Sequence, residues 1–205
     1  MLSKICVFAA SSPGIDQSYL EAGRKMAREL IKHEITMVYG AGTVGIMGSM
    51  ADEMLQSGGK VKGVIPGFMH DMGWSHPGLN DIEIVESMHQ RKAYMVKNVD
   101  AIIAMPGGVG TLEELLELIT LKQLGQFLKP IIILNTNNFY DPLIQHFKMM
   151  VDQHFMRPLH EKIWQVASKP EEVINLIKNE PEWSPDAIKY AAVEANVGRI
   201  RTSGQ

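Results

Sequence analysis

Short apolar runs recur along this chain, each followed by a longer amphipathic stretch, and that alternation restricts the available folds more than any other feature. Ile5–Ala10, Ile35–Tyr39, Val61–Ile65, Ala101–Met105 and Ile131–Leu134 are rich in branched and small apolar residues. Several lack the in–out alternation of a half-exposed strand, as expected where both sheet faces are covered. Ile82–Val85 and Ile163–Ala167 are two further candidate strands. Between them, Asp16–Lys32 sets Tyr19, Gly23, Met26 and Leu30 on one helical stripe behind Asp16 as cap. Gly45–Gln56, Leu112–Leu124, Pro142–His154 and Pro170–Lys178 continue the helical pattern, with Asp141 as cap and Pro142 at the first helical position of its segment. A strand–helix alternation of this kind predicts an α/β fold with a mostly parallel, doubly wound sheet. Ligands of such sheets bind beyond the carboxyl ends of the strands.

With 205 residues, 45% of them apolar, the chain can bury one substantial core. The expected organisation is a single domain over residues 1–180 and a C-terminal tail over 181–205, where the composition turns to Pro-Glu-Trp-Ser-Pro and then Gly, Arg and Ser. A net charge of -3 gives no electrostatic reason to expect nucleic acid or an anionic membrane as partner. Cys6, the one cysteine, falls in an apolar strand, so no internal disulfide forms and a reducing cytoplasm is the expected location. The apolar run near the N-terminus is too short for a secretory signal, and no stretch approaches the roughly 20 apolar residues of a membrane span.

Three loops follow strands and so should face one crevice: Ser11–Gly14, Gly40–Gly45 and Pro106–Gly110. The third places Gly107, Gly108 and Gly110 with Thr111 between a strand and a helix, where backbone amides can converge on an anion. Gly40-Ala-Gly-Thr-Val-Gly45 fits G-x-G-x-x-G, but the acidic residue that a dinucleotide site needs about 20 positions later is replaced by Lys60–Pro66. A mononucleotide, or tight strand-to-helix packing, fits that loop better. Gly67–Asn80 is the one long connection without periodicity, and its Phe68, Met69, Met72, Trp74 and His76 read either as a lid or pocket wall or as a locally packed surface loop.

Arg91 and Lys92 stand near the start of a helix, where positive charge opposes the macrodipole and requires an anion or water. Glu114 reads two ways. Thr111-x-x-Glu114 is a capping box in which the glutamate serves its own helix, with Glu113 complementing the dipole; alternatively Glu114 is a catalytic carboxylate beside the glycine loop. Ser87-x-x-Gln90 repeats the capping box one helix earlier. Neither metal-ligand spacing nor a G-x-S-x-G elbow occurs, so no metal, cofactor or nucleophilic triad is expected.

Val7–Ser12, Val38–Gly42 with Gly45–Gly48, Gly63–Pro66, Met88-His-Gln-Arg-Lys92 and Pro106-Gly-Gly-Val-Gly-Thr-Leu-Glu-Glu114 occur in the order seen in the LOG (Lonely Guy) family, and over residues 4–178 the chain resembles its members. These are cytokinin riboside 5'-monophosphate phosphoribohydrolases, formerly described as possible lysine decarboxylases. The resemblance implies a Rossmann-like fold, a homodimer, and hydrolysis of a nucleoside 5'-monophosphate to free base and ribose 5-phosphate without a cofactor. It implies Arg91 and Glu114 as the catalytic pair. It also implies Lys92, Gly107, Gly108, Val109, Gly110, Thr111, Leu112, Glu113 and Thr120, with Ser12 and Gly42, as substrate-binding positions. Gly40-Ala41-Gly42 departs from the three glycines usual in the family, and Gly73 stands where many relatives have a glutamate. Two other functions share this pattern: a general AMP, GMP or IMP nucleosidase, and a non-catalytic carrier of a phosphorylated cofactor.

Overall fold

The computed structural model describes residues 2–191. Seven parallel strands form one sheet: β1 (Lys4–Phe8), β2 (Thr36–Tyr39), β3 (Val61–Pro66), β4 (Ile82–Val85), β5 (Ala101–Ala104), β6 (Ile131–Leu134) and β7 (Gln165–Ala167), in the spatial order β4-β3-β2-β1-β5-β6-β7. The chain builds outward from β1 to β4, then returns to add β5 against the other side of β1. That reversal opens a crevice at the carboxyl ends of β1 and β5, the switch point of a doubly wound Rossmann-like sheet.

Helices α1 (Gln17–Lys32), α2 (Gly45–Gln56) and α7 (Pro170–Asn179) cover one face, while α4 (Met88–Met95), α5 (Val109–Gln123) and α6 (Asp141–Asp152) cover the other. Ile5 and Val7 of β1 enter the core with Met26, Leu30, Met50 and Met54, whereas Cys6 and Phe8 enter the opposite core with Met95, Leu115 and Leu118. Both faces being apolar, the central strands carry no polar alternation in sequence. Asp16 caps α1 as expected, accepting from the Ser18 amide at 2.8 Å. Leu30 of α1 is fully buried, and truncating such a leucine to alanine costs about 2–5 kcal/mol.

Three local expectations are corrected. A short helix, α3 (Gly67–Asp71), opens the segment that lacked periodicity. Helix α6 begins at Asp141 rather than being capped by it, because the Asp141 carboxylate accepts from Asn135 Nδ2 at 2.7 Å while Tyr140 takes the cap position. The third concerns α5 and is taken up below. The segment from Pro181 docks on the domain through Trp183, whose indole N–H donates to the Lys122 carbonyl at 2.7 Å, and continues through Pro185–Ala187 into α8 (Ile188–Ala191). The remainder of the expected tail, 192–205, lies outside the described residues. No helix among the described residues is long and apolar enough to cross a membrane.

Candidate functional site

The glycine loops are stitched together above the sheet. The Ala10 amide donates to the Pro106 carbonyl at 3.0 Å, and the Met47 amide donates to the Ala10 carbonyl at 3.1 Å. Gly45 is held at φ +66°, and a Cβ there would approach the Ala10 carbonyl oxygen to 2.6 Å, so both the conformation and the close approach require glycine. A cavity of about 720 Å³ opens over these loops, lined among others by Ser12, Gly42, Trp74, Arg91, Gly108 and Glu114. That volume accommodates a nucleotide-sized ligand.

Helix α5 starts at Val109 with Gly108 at the cap position, three residues before the expected Leu112. The amides of Val109, Gly110 and Thr111 therefore occupy the first helical turn, where no carbonyl of the helix can accept from them. Thr111 lies inside the helix and is buried, and a Cβ on Gly107 would come within 2.1 Å of its hydroxyl. Packing under Gly107, not capping, is the role of this threonine. The capping box expected at Thr111 and Glu114 is thus overturned: the cap is a glycine backbone, and Glu114 turns into the cavity. The Ser87 box is half realised, with Ser87 Oγ accepting from the Gln90 amide at 3.2 Å while the Gln90 side chain accepts from the Glu86 amide at 2.9 Å.

Arg91 leaves the start of α4 pointing inward. Its Nε donates to the Val64 carbonyl and its Nη2 to the Gly40 carbonyl, both at 3.1 Å, and Nη1 lies 3.5 Å from Glu114 Oε1. The arginine and glutamate side chains are 8% and 11% exposed, so the pair is shielded yet reachable from the cavity. Gly40 makes this seat possible, since a Cβ at that position would sit 1.8 Å from Nη2. Burial pushes the Glu114 carboxyl up to about 7, with Arg91 pulling it down and Glu113 adding to the rise. A carboxyl poised there can gain or lose a proton near neutral pH.

Lys92 takes the other direction. It pairs with Glu113 and, at 2.7 Å, with Glu117, clamping α4 to the outer side of α5. Hydrogen bonding by these two glutamates raises its pKa. Of the positions implied as substrate contacts, Ser12, Gly42, Gly108, Val109, Gly110 and Thr111 line the cavity, whereas Lys92, Leu112, Glu113 and Thr120 do not, and Gly107 lies against Thr111. Thr120 is exposed and donates to the Leu116 carbonyl at 2.9 Å.

Met69, Gly73 and Trp74 of the Gly67–Asn80 segment line the cavity, whereas Phe68 and Met72 are exposed on the surface and, like His76, lie outside the lining. His70 Nδ1 meets Ser75 Oγ at 2.6 Å, Ser75 forms an antiparallel bridge with Gly42, the His76 amide donates to the Ala41 carbonyl at 2.8 Å, and His76 Nε2 meets Asp52 at 3.0 Å. Ala41 adopts φ +60°, a left-handed conformation that costs an alanine about 1–2 kcal/mol. Sequence reasoning missed Gly40 as the seat of Arg91, and the Val64 carbonyl that shares it. The glycine at the end of a buried strand was the available signal. Among the described residues no group of three His, Cys, Asp or Glu is placed to hold a metal.

Comparison with known proteins identifies the family. The family described as "Possible lysine decarboxylase" matches residues 47–177. A cytokinin riboside 5'-monophosphate phosphoribohydrolase of Arabidopsis thaliana is 39% identical over 198 residues, spanning 96% of this chain and 90% of that protein. A probable enzyme of the same name from Oryza sativa subsp. japonica is 40% identical over 189 residues, spanning 92% and 76%. Among solved structures, the molybdenum cofactor binding protein of Rippkaea orientalis superposes with a TM-score of 0.66 at 19% identity, over 87% of this chain and 96% of that one. At such identity the likeness concerns the fold. The family match and the near full-length relatives together place the chain in the LOG family, the group described as possible lysine decarboxylases.

Proposed function

We propose that the protein hydrolyses the N-glycosidic bond of a nucleoside 5'-monophosphate, releasing free base and ribose 5-phosphate, and that it acts in the cytoplasm as a homodimer. The observation that carries this reading is the buried Arg91–Glu114 pair one helical turn from the open amides of α5, inside a nucleotide-sized cavity. A phosphate on the amides of Gly108, Gly110 and Thr111 would be oriented by the helix N-terminus. Glu114 lies four residues beyond Gly110, about 6 Å along the helix axis, and helical side chains lean back toward the N-terminus. Its carboxylate therefore reaches toward the sugar of a nucleotide anchored there.

As the bond between the anomeric carbon and the base nitrogen breaks, its electron pair leaves with the base and the sugar gains oxocarbenium character. Ionised Glu114 stabilises that charge, accepts a proton from the attacking water as its oxygen bonds to the anomeric carbon, and gives up that proton as the departing base nitrogen is protonated. Arg91, held by two carbonyls, keeps the carboxylate ionisable and faces the negative charge that develops on the departing base. Lys92 acts at one remove, by fixing the first turns of α5 through Glu113 and Glu117. Glu113 and Thr120 belong to the outward side of α5, which also exposes Val109 at 85% and Leu116 at 41%, while Leu112 packs against the core; a second copy packed there would cover the outward stripe and meet Glu113 and Thr120.

The test is incubation with AMP, GMP and isopentenyladenosine monophosphate, with free base and ribose 5-phosphate measured separately. Release of both products in equal amounts is expected from at least one substrate, and the panel tells a cytokinin-directed enzyme from a general nucleosidase. Binding of all three without release would refute hydrolysis and favour a carrier. Sedimentation of the wild type and of Leu116→Glu tests the dimer, which the substitution should dissociate.

A further inference from the structure

The cavity is chemically asymmetric. Its charged lining side chains are those of Arg91 and Glu114, and its hydroxyls are those of Ser11, Ser12, Thr43 and Thr111, while Met47, Met69 and Trp74 contribute a largely apolar wall. The sheet order fixes how far apart the phosphate cradle and this wall can be. Ser75, next to Trp74, is bridged to Gly42 at the end of β2, and β2 stands two strand positions from β5, which feeds the cradle. Two strand spacings are roughly 10 Å, a separation that a nucleotide with its phosphate at α5 spans with its base.

What waits at that end is a large aromatic side chain without an evident packing duty. Trp74 is 48% exposed although it lines a cavity. Its backbone is fixed by the Ser75 bridge and by the His76 contacts to Ala41 and Asp52, so the indole is presented by an anchored arm rather than by a mobile loop. Met47 lies close to Gly42, within 3.5 Å of where a Cβ on that glycine would be, and adds a polarisable thioether to the same wall. Beside the indole, Gly73 is held at φ +75° with open space where a side chain would project. The wall of the cavity at this end is thus apolar and aromatic with room beside it, and the charged group near it is Arg91, already engaged by the Gly40 carbonyl and Glu114.

Resting on the nucleotide reading of the site, we infer that Trp74 is the residue that binds the base, by stacking its indole on a planar heteroaromatic ring. Recognition by stacking tolerates differences among bases, because every base presents a π-face. The room at Gly73 lets a substituent on the base extend past the indole. The contact acts on binding of the base and leaves the phosphate and sugar contacts untouched.

Ribose 5-phosphate carries the phosphate and sugar of the nucleotide but no base, which gives a clean comparison. Trp74→Ala should raise KM for AMP by about tenfold, keep kcat within about threefold, and leave inhibition by ribose 5-phosphate unchanged; Trp74→Phe should recover most of the affinity. Indole fluorescence provides a readout independent of turnover. Trp164 packs on Phe147 and Trp183 on the Lys122 carbonyl, so AMP should quench a component that ribose 5-phosphate does not quench and that is missing from Trp74→Ala. Equal weakening of AMP and ribose 5-phosphate in Trp74→Ala, or no change in either, would overturn the assignment. Base-dependent quenching without cleavage of any nucleotide would sustain Trp74 while refuting the hydrolase reading; cleavage without such quenching would do the reverse.

Discussion

Gly40→Ala tests the site at the point where fold and chemistry meet. The added methyl would stand 1.8 Å from Arg91 Nη2 and 2.9 Å from Cζ, and ordinary contact begins at 3.4 Å, so the guanidinium has to retreat by at least about 1.6 Å, the difference 3.4 − 1.8. The 3.1 Å bond to the Gly40 carbonyl and the 3.5 Å approach to Glu114 cannot both survive that movement. Loss of one charge-assisted hydrogen bond costs about 1.5–3 kcal/mol, several degrees of melting temperature in a domain of this size. Activity should suffer more, because a 1 Å displacement of a catalytic group can cost about a hundredfold in rate. With the guanidinium withdrawn, its lowering effect on Glu114 weakens and the carboxyl climbs above about 7, so the acidic limb of the pH–rate profile moves to higher pH. The assay is kcat/KM for AMP across pH, with melting temperature measured alongside. Gly14→Ala is the control, since a Cβ there meets nothing within 4 Å. A Gly40→Ala enzyme with kcat/KM within about threefold of wild type and an unmoved acidic limb would refute the claim that the seat of Arg91 governs catalysis.

In the wild type, kcat/KM should rise with pH through about 7 as Glu114 ionises, and a flat profile between pH 5 and 9 would remove it as base. Glu114→Gln should abolish turnover yet stabilise the fold at pH 8. The folded state holds a proton up to about 7 that the unfolded state releases near 4.5, so wild-type stability falls as pH rises through that window, by up to about 3 kcal/mol, and glutamine escapes the loss. A lower melting temperature for Glu114→Gln at pH 8 would restore a structural role for the carboxylate. Away from the site, Lys122 is 0% exposed and pairs with Glu180, so Lys122→Met should cost about 3–5 kcal/mol by stranding a buried charge, and Lys122→Met with Glu180→Leu should recover most of it. Melting of the single variant at the wild-type temperature would show the pair to be dispensable.

The sheet was legible because runs such as Ile131–Leu134 and Ala101–Met105 are apolar on both faces, a signal that no surface element imitates. Asp16 was legible for the same local reason, its acceptor lying two residues away. The start of α5 was misread because its decisive contact, Thr111 under Gly107, is a packing event that capping statistics do not encode. Arg91 is the sharpest case. Sequence showed a cation gaining nothing from its own helix, while the carbonyls that hold it come from Val64 in β3 and Gly40 just past the end of β2, brought together only by the sheet. Lys122 could have been found: it extends the buried stripe Leu115, Leu118 and Ile119, where a lysine is out of place unless something pairs with it.

The stitched loops have a consequence for how such a molecule can diversify. Ala10 bonds to both Pro106 and Met47, and Gly45 admits no larger residue against it, so an insertion in any one of the three loops would displace the other two. The arm from Gly67 to Asn80 reaches the same cavity from outside this knot, through one strand bridge and a few polar contacts. Lineages descending from a common ancestor could therefore exchange that arm and acquire new ligands while inheriting the bond-breaking apparatus intact.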